Sequence, residues 1–111
     1  MDNKIKSIEI NATLTFSVEK GDFGRFVRIQ RNKRWMCLSA SLWKLIHSRM
    51  DQLQQIGFVL HLTKAKRLKV INYEERRYVS FIADQPDSDF KNFINLNDAE
   101  WATLATKMFE I

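Results

Sequence analysis

The chain has little that bends or cross-links a backbone: its 111 residues include one cysteine, one proline and three glycines. A single cysteine cannot close an internal disulfide, which excludes a disulfide-stapled secreted scaffold. So few breakers leave no place for a flexible linker or a low-complexity tail. No apolar run approaches the roughly 18 residues a membrane span needs. The start, Met1-Asp2-Asn3-Lys4, has no apolar stretch behind it, so no secretory signal is expected. The expected setting is a reducing interior, nuclear or cytoplasmic. Catalytic residue types are sparse as well. His47, His61 and Cys37 have no metal-site spacing, and no Gly-rich phosphate loop is present. Asp84, Asp87 and Asp89 share a stretch with Pro86 and read as a solvated turn. No enzyme activity, metal or cofactor is expected.

What is present is charge and apolar alternation. Hydrophobic residues make up 45% and charged residues 28%, as in a soluble globular protein. The net charge of +5 is unevenly placed. Residues 1–19 carry 2 basic and 3 acidic groups, residues 20–77 carry 14 and 4, and residues 78–111 carry 2 and 6. A basic centre of +10 points to an anionic partner, nucleic acid being the commonest.

Self-similarity organises the chain. Leu38-Ser39-Ala40-Ser41-Leu42-Trp43 and Leu96-Asn97-Asp98-Ala99-Glu100-Trp101 share Leu, a capping residue and Trp at an offset of 58. Upstream, Gly24-Arg25-Phe26-Val27-Arg28-Ile29 matches Arg76-Arg77-Tyr78-Val79-Ser80-Phe81 at an offset of 52. The six-residue difference falls on Asp84-Gln85-Pro86-Asp87-Ser88-Asp89, which reads as a longer loop in the second half.

Each half reads as four strands and a helix. Period-two alternation marks strands at 5–10, 13–19, 25–31 and 34–38. Ser39 is the expected N-cap of a helix running to about Gln55, with Trp43, Ile46, Met50 and Leu53 on its apolar stripe. Gly57 is the expected left-handed terminator. In the second half strands are expected at 58–62, 68–73, 77–83 and 90–96, with Lys64–Arg67 a basic turn. Asn97 caps a helix with Trp101, Leu104, Ala105 and Met108 on one side. The predicted class is α+β: one domain, residues 1–111, built from two tandem ββββα repeats at 1–56 and 57–111. A unit of about 55 residues buries little core alone. The two halves are therefore expected to form an intramolecular pseudo-dimer with antiparallel sheets and paired helices.

Ile94-Asn95-Leu96-Asn97-Asp98-Ala99-Glu100-Trp101, and its counterpart Met36-Cys37-Leu38-Ser39-Ala40-Ser41-Leu42-Trp43, resemble the strand-to-helix signature of the positive cofactor 4 family of transcriptional coactivators. Asp22-Phe23-Gly24-Arg25 is similar to that family's Asp-Phe-Lys-Gly-Lys hairpin, one residue shorter. The resemblance implies a dimeric ββββα fold that binds single-stranded DNA in sheet-lined grooves, here with a tandem pair in place of the homodimer. Whirly-like folds are neighbours of this reading.

Strand parity names a face independently. If Phe16, Val18, Val27, Ile29, Met36, Leu38, Leu68 and Val70 point inward, then Phe26, Arg28, Trp35, Arg67, Lys69, Ile71, Tyr73, Tyr78 and Phe93 point outward. Aromatic rings among cations suit single strands, whose bases stack on rings while Arg and Lys hold phosphates. The candidate nucleic-acid-binding residues are Arg25, Phe26, Arg28, Arg31, Lys33, Arg34, Trp35, Lys64, Lys66, Arg67, Lys69, Tyr73, Arg77 and Tyr78. The expected partner is single-stranded DNA, in transcription, replication or repair. RNA on the same face and a protein-interaction module with an aromatic docking face are the open alternatives.

Overall fold

The structure, a computed structural model, describes residues 4–22, 24–84 and 91–107. The first four strands are β1 (Lys4–Glu9), β2 (Leu14–Gly21), β3 (Gly24–Arg31) and β4 (Arg34–Ser39), followed by helix α1 (Ala40–Ser48). A 3-10 turn at Gln52–Gln54 leads to β5 (Val59–His61), β6 (Lys66–Tyr73), β7 (Arg76–Asp84), β8 (Lys91–Asn97) and helix α2 (Asp98–Lys107). The protein is thus α+β, with two antiparallel four-stranded meanders and two helices. The expected loop at 85–89, the strand start at Phe90, the hairpin residue Phe23 and Met108 lie outside the described residues.

Alternation sets the sheet faces. Leu14, Phe16, Val27, Ile29, Met36 and Leu38 of the first sheet are buried, as are Leu68, Val70, Val79, Phe81, Ile94 and Leu96 of the second. They form one continuous core with Trp43, Ile46, Leu53, Trp101 and Leu104. The two core tryptophans each tilt against a ring on their own sheet. Phe16 lies 5.7 Å from Trp43, and Phe81 lies 6.3 Å from Trp101. The aromatic member of the facing strand pair sits on β2 in the first sheet (Phe16↔Ile29) and on β7 in the second (Leu68↔Phe81). The volume is similar and the order reversed.

The registers of the two sheets correspond. Leu14↔Arg31, Phe16↔Ile29 and Gly21↔Gly24 become Lys66↔Ala83, Leu68↔Phe81 and Tyr73↔Arg76, each residue shifted by 52. Between the third and fourth strands, Val27↔Leu38 becomes Val79↔Leu96, shifted by 52 on one strand and 58 on the other. The hairpin between β6 and β7 leaves two residues at its tip, between Tyr73 and Arg76. There Glu74 and Glu75 take φ of 51° and 63°, the left-handed geometry this turn demands and that glycine or asparagine holds with less strain.

Caps fall where expected. Ser39 Oγ accepts a hydrogen bond from the Leu42 amide at 3.3 Å. Asn97 Oδ1 accepts from the Glu100 amide at 2.8 Å, and Glu100 Oε1 accepts in return from the Asn97 amide at 3.0 Å, a capping box. Three expectations need correction. α1 stops at Ser48 rather than near Gln55, because the Ser48 hydroxyl and the Arg49 amide turn back onto the Leu45 and Ile46 carbonyls. The 3-10 turn then delivers Leu53 to the core. Gly57 does take positive φ, at 94°, but its amide binds the Val70 carbonyl and leads into β5. Lys66 and Arg67 stand on β6 rather than in a turn. The turn is Thr63-Lys64-Ala65, closed by Thr63 Oγ1 accepting from the Ala65 and Lys66 amides.

Among the described residues the halves meet where β4 faces β8, and each helix packs on its own sheet. Arg34 Nη1 donates to the Phe93 carbonyl at 3.2 Å, and Asn92 Nδ2 donates to the Trp35 carbonyl at 2.9 Å. Arg31 Nη2 reaches the Asn95 carbonyl at 2.9 Å, and Lys66 Nζ reaches the Cys37 carbonyl at 2.7 Å. The strongest bridge is ionic. Glu100, buried at the start of α2, accepts from Arg31 Nη2 at 2.6 Å and from Asn11 Nδ2 at 2.7 Å. Burial alone would raise its pKa. The Arg31 guanidinium, the Asn97 amide and the Asn11 amide outweigh that and hold it below its ordinary value of 4.5.

A depressed carboxylate pKa stabilises the fold above the unfolded value, and that contribution disappears as pH falls through the folded value. Glu100→Gln is therefore expected to lose about 2–3 kcal/mol at pH 7. Urea titrations at several pH values should show the deficit shrinking steadily below about pH 4.5. A deficit independent of pH would mean the carboxylate charge does not join the halves.

Candidate nucleic-acid interface

The helices cover one face of each sheet, and alternation leaves the other face uncovered by them, with Ser17 and Ser80 at its centre still buried. Across the first sheet the outer row runs Ser7, Ser17, Arg28 and Cys37, with Gln30 paired to Trp35 below it. Across the second it runs Val59, Lys69, Ser80 and Asn95, with Ile82 paired to Phe93. Trp35 is 53% exposed, Tyr73 63% and Phe93 41%. Trp43 and Trp101, at 4% and 6%, belong to the core.

Two of the exposed rings carry a cation. The Arg28 guanidinium sits 5.0 Å from the centroid of Trp35, and that of Arg34 sits 4.7 Å from Phe93. Such contacts hold rings and cations in place in the absence of ligand. Arg28 is also paired to Glu19 at 3.1 Å, and Glu19 accepts from Ser17 Oγ at 2.9 Å. Arg34, Phe93, Lys33 and Asn95 help to line a groove of about 470 Å³ at the seam between the halves. A second hollow, about 340 Å³, opens beside Trp35, Cys37, Lys66 and Asn92.

The predicted residues divide into two groups. Phe26, Arg28, Trp35, Arg67, Lys69, Tyr73 and Tyr78 have outward parity, and Lys33 and Lys64 stand exposed at hairpin tips. Among the described residues the side chains of Lys33, Lys64 and Lys69 have no hydrogen-bond or ion-pair partner. The others share parity with core residues. Arg31 and Lys66 are tied across the seam as described above. Arg77 reaches the helix side, to Asp98 at 2.8 Å and to the Gln54 carbonyl. Arg25 shares the inward parity of Val27 but lies exposed at the end of its strand. Arg67, though outward, is paired to Asp84 at 2.9 Å. Much of the basic centre thus holds the fold, and its free charge is narrower than the composition suggests. Asn92, Asn95 and Glu19 were not singled out from the sequence. Alternation with Phe93 was the available signal for Asn95, while the partners of Asn92 and Glu19 come from other strands.

No family model matches this sequence, and no curated protein matches it. Among the described residues no helix is long and apolar enough to cross a membrane.

Trp35 has no packing role comparable to that of Trp43. Trp35→Ala is expected to change stability by about 0.5 kcal/mol or less, and Trp43→Ala to cost about 3–5 kcal/mol. Urea unfolding of both variants checks the contrast. Equal losses would place Trp35 in the core.

Proposed function

We propose that this chain is a non-enzymatic single-stranded DNA-binding protein that uses the outer faces of its two sheets. Its halves are tandem ββββα repeats forming an intramolecular pseudo-dimer. The matched registers support the repeat. The seam supports the pseudo-twofold, because Arg34 to the Phe93 carbonyl and Asn92 to the Trp35 carbonyl are one contact made twice. The resemblance to the positive cofactor 4 family agrees with both. A nuclear or cytoplasmic role beside transcription, replication or repair machinery, as coactivator or accessory factor, follows from the same reading.

The observation that carries the proposal is the exposure of Trp35, Tyr73 and Phe93 among Arg28, Arg34, Lys33 and Lys69. Bases of a single strand present π-faces that such rings can stack on, at about 1–3 kcal/mol each. A duplex hides those faces, leaving only its phosphates to bind.

Anisotropy titrations with labelled single and double strands of about 20 nucleotides test this. The single strand should bind at least about tenfold tighter. With about five phosphates neutralised, log K should fall with log salt at a slope near −3 to −4. Trp35→Ala combined with Lys69→Glu should weaken single-strand binding about tenfold or more while leaving the melting temperature close to that of the parent. Equal, weak binding to both forms contradicts the proposal. An RNA strand of the same sequence, added as competitor, decides between DNA and RNA.

A further inference from the structure

The two outer faces are alike in register but not in what fills them. In the first sheet Phe26 folds down over Gly21, its ring only 3.1 Å from where a side chain at Gly21 would begin. Beside it the Glu19–Arg28 ion pair closes the surface. In the second sheet the residues at those positions are Tyr78, Tyr73, Ile71 and Ser80. Tyr73 stands where Gly21 stood, so Tyr78 has no bare backbone to lie on. Ile71 and Ser80 replace the ion pair. The result is a hollow of about 320 Å³ lined by Ile71, Tyr73, Tyr78 and Asn95.

Asn95 occupies the position that Cys37 holds in the first sheet. Its Oδ1 is buried and has no hydrogen-bond partner. As the side chain stands this atom is closed to solvent, so a base donor meets it once the amide turns toward the hollow that Asn95 lines, which relieves an unpaired acceptor. An amide also offers a donor beside its acceptor, the pattern that pairs with a base edge. Lys69, exposed and unpaired, neighbours Ser80 across the strands, within the same face.

We propose that this hollow is a nucleobase subsite, in which Tyr73 and Tyr78 stack one base of the bound strand and the Asn95 amide reads its edge. The second sheet then supplies base preference, while the first sheet, whose corresponding surface is filled, stacks without reading. The inference rests on the single-strand reading above and adds selectivity to it.

The test uses DNA homopolymers dA, dC and dT of one length, about 12 nucleotides, titrated against the full chain. The parent protein should bind one of them about tenfold more tightly than the weakest. Asn95→Cys, which installs the first sheet's own residue, should bring the three within about threefold, with an unchanged salt slope. Tyr73→Gly is the second variant and should remove the preference together with part of the affinity. Equal binding of the three homopolymers by the parent, or a preference that survives both substitutions, overturns the subsite and leaves single-strand binding standing. No binding to any of the three overturns both.

Discussion

The buried carboxylate of Glu100 is the point on which the arrangement of the two halves depends. It belongs to the first turn of the second helix, where the capping box and the helix dipole already favour a negative charge. Its remaining lone pairs are taken by Arg31 and Asn11 from the other half. Arg31 in turn binds Thr13 Oγ1 and the Asn95 carbonyl. One buried charge therefore ties the β1–β2 corner, the end of β3, the β8 backbone and the start of α2. Neither half can satisfy this group alone. A four-stranded meander with a single helix also leaves much of its apolar face wet, so the polar link and the shared core act in the same direction.

That link sets the spacing of the exposed rings. Arg31, Arg34, Asn92 and Lys66 all donate to backbone carbonyls across the seam, to Asn95, Phe93, Trp35 and Cys37 respectively. Three of these carbonyls belong to ring residues or to the outward residue two places on from Phe93. Arg34 and Asn92, which help to lock the seam, therefore also fix where Phe93 and Trp35 stand relative to one another. Among the described residues the side chains of Lys33, Lys64 and Lys69 are left without a hydrogen-bond or ion-pair partner. The outer faces become a pair of similar platforms with different surfaces: the first closed by Phe26 and an ion pair, the second open around two tyrosines.

Much of this was legible in the residues. Period-two alternation in Leu14-Thr15-Phe16-Ser17-Val18 set one buried face, and the offsets of 52 and 58 anticipated both sheet registers. Ser39 and Asn97 announced the helix starts, since a cap is a local interaction written within four residues. The end of α1 was not legible, because apolar spacing continued through Leu53 while Ser48 and Arg49 closed the helix early. Lys66 read as part of a turn because its ammonium group serves a carbonyl on a strand far away in sequence. Arg31 and Glu100, 69 residues apart, gave no local signal at all. Pairing between distant charges depends on the assembled halves, and composition alone counted Arg31, Arg67 and Arg77 as available cations.

The central claim is that a single strand lies on these outer faces, and the three tryptophans provide its most direct test. Trp35 is exposed while Trp43 and Trp101 are buried, so a ligand stacked on the outer face alters one emitter and spares two. The measurement is intrinsic fluorescence during titration with a single-stranded oligonucleotide of about 12 nucleotides. The account predicts saturable quenching of the red-shifted emission, lost in Trp35→Phe and not produced by a duplex of the same sequence. Tight binding with the Trp35 emission unchanged would contradict it.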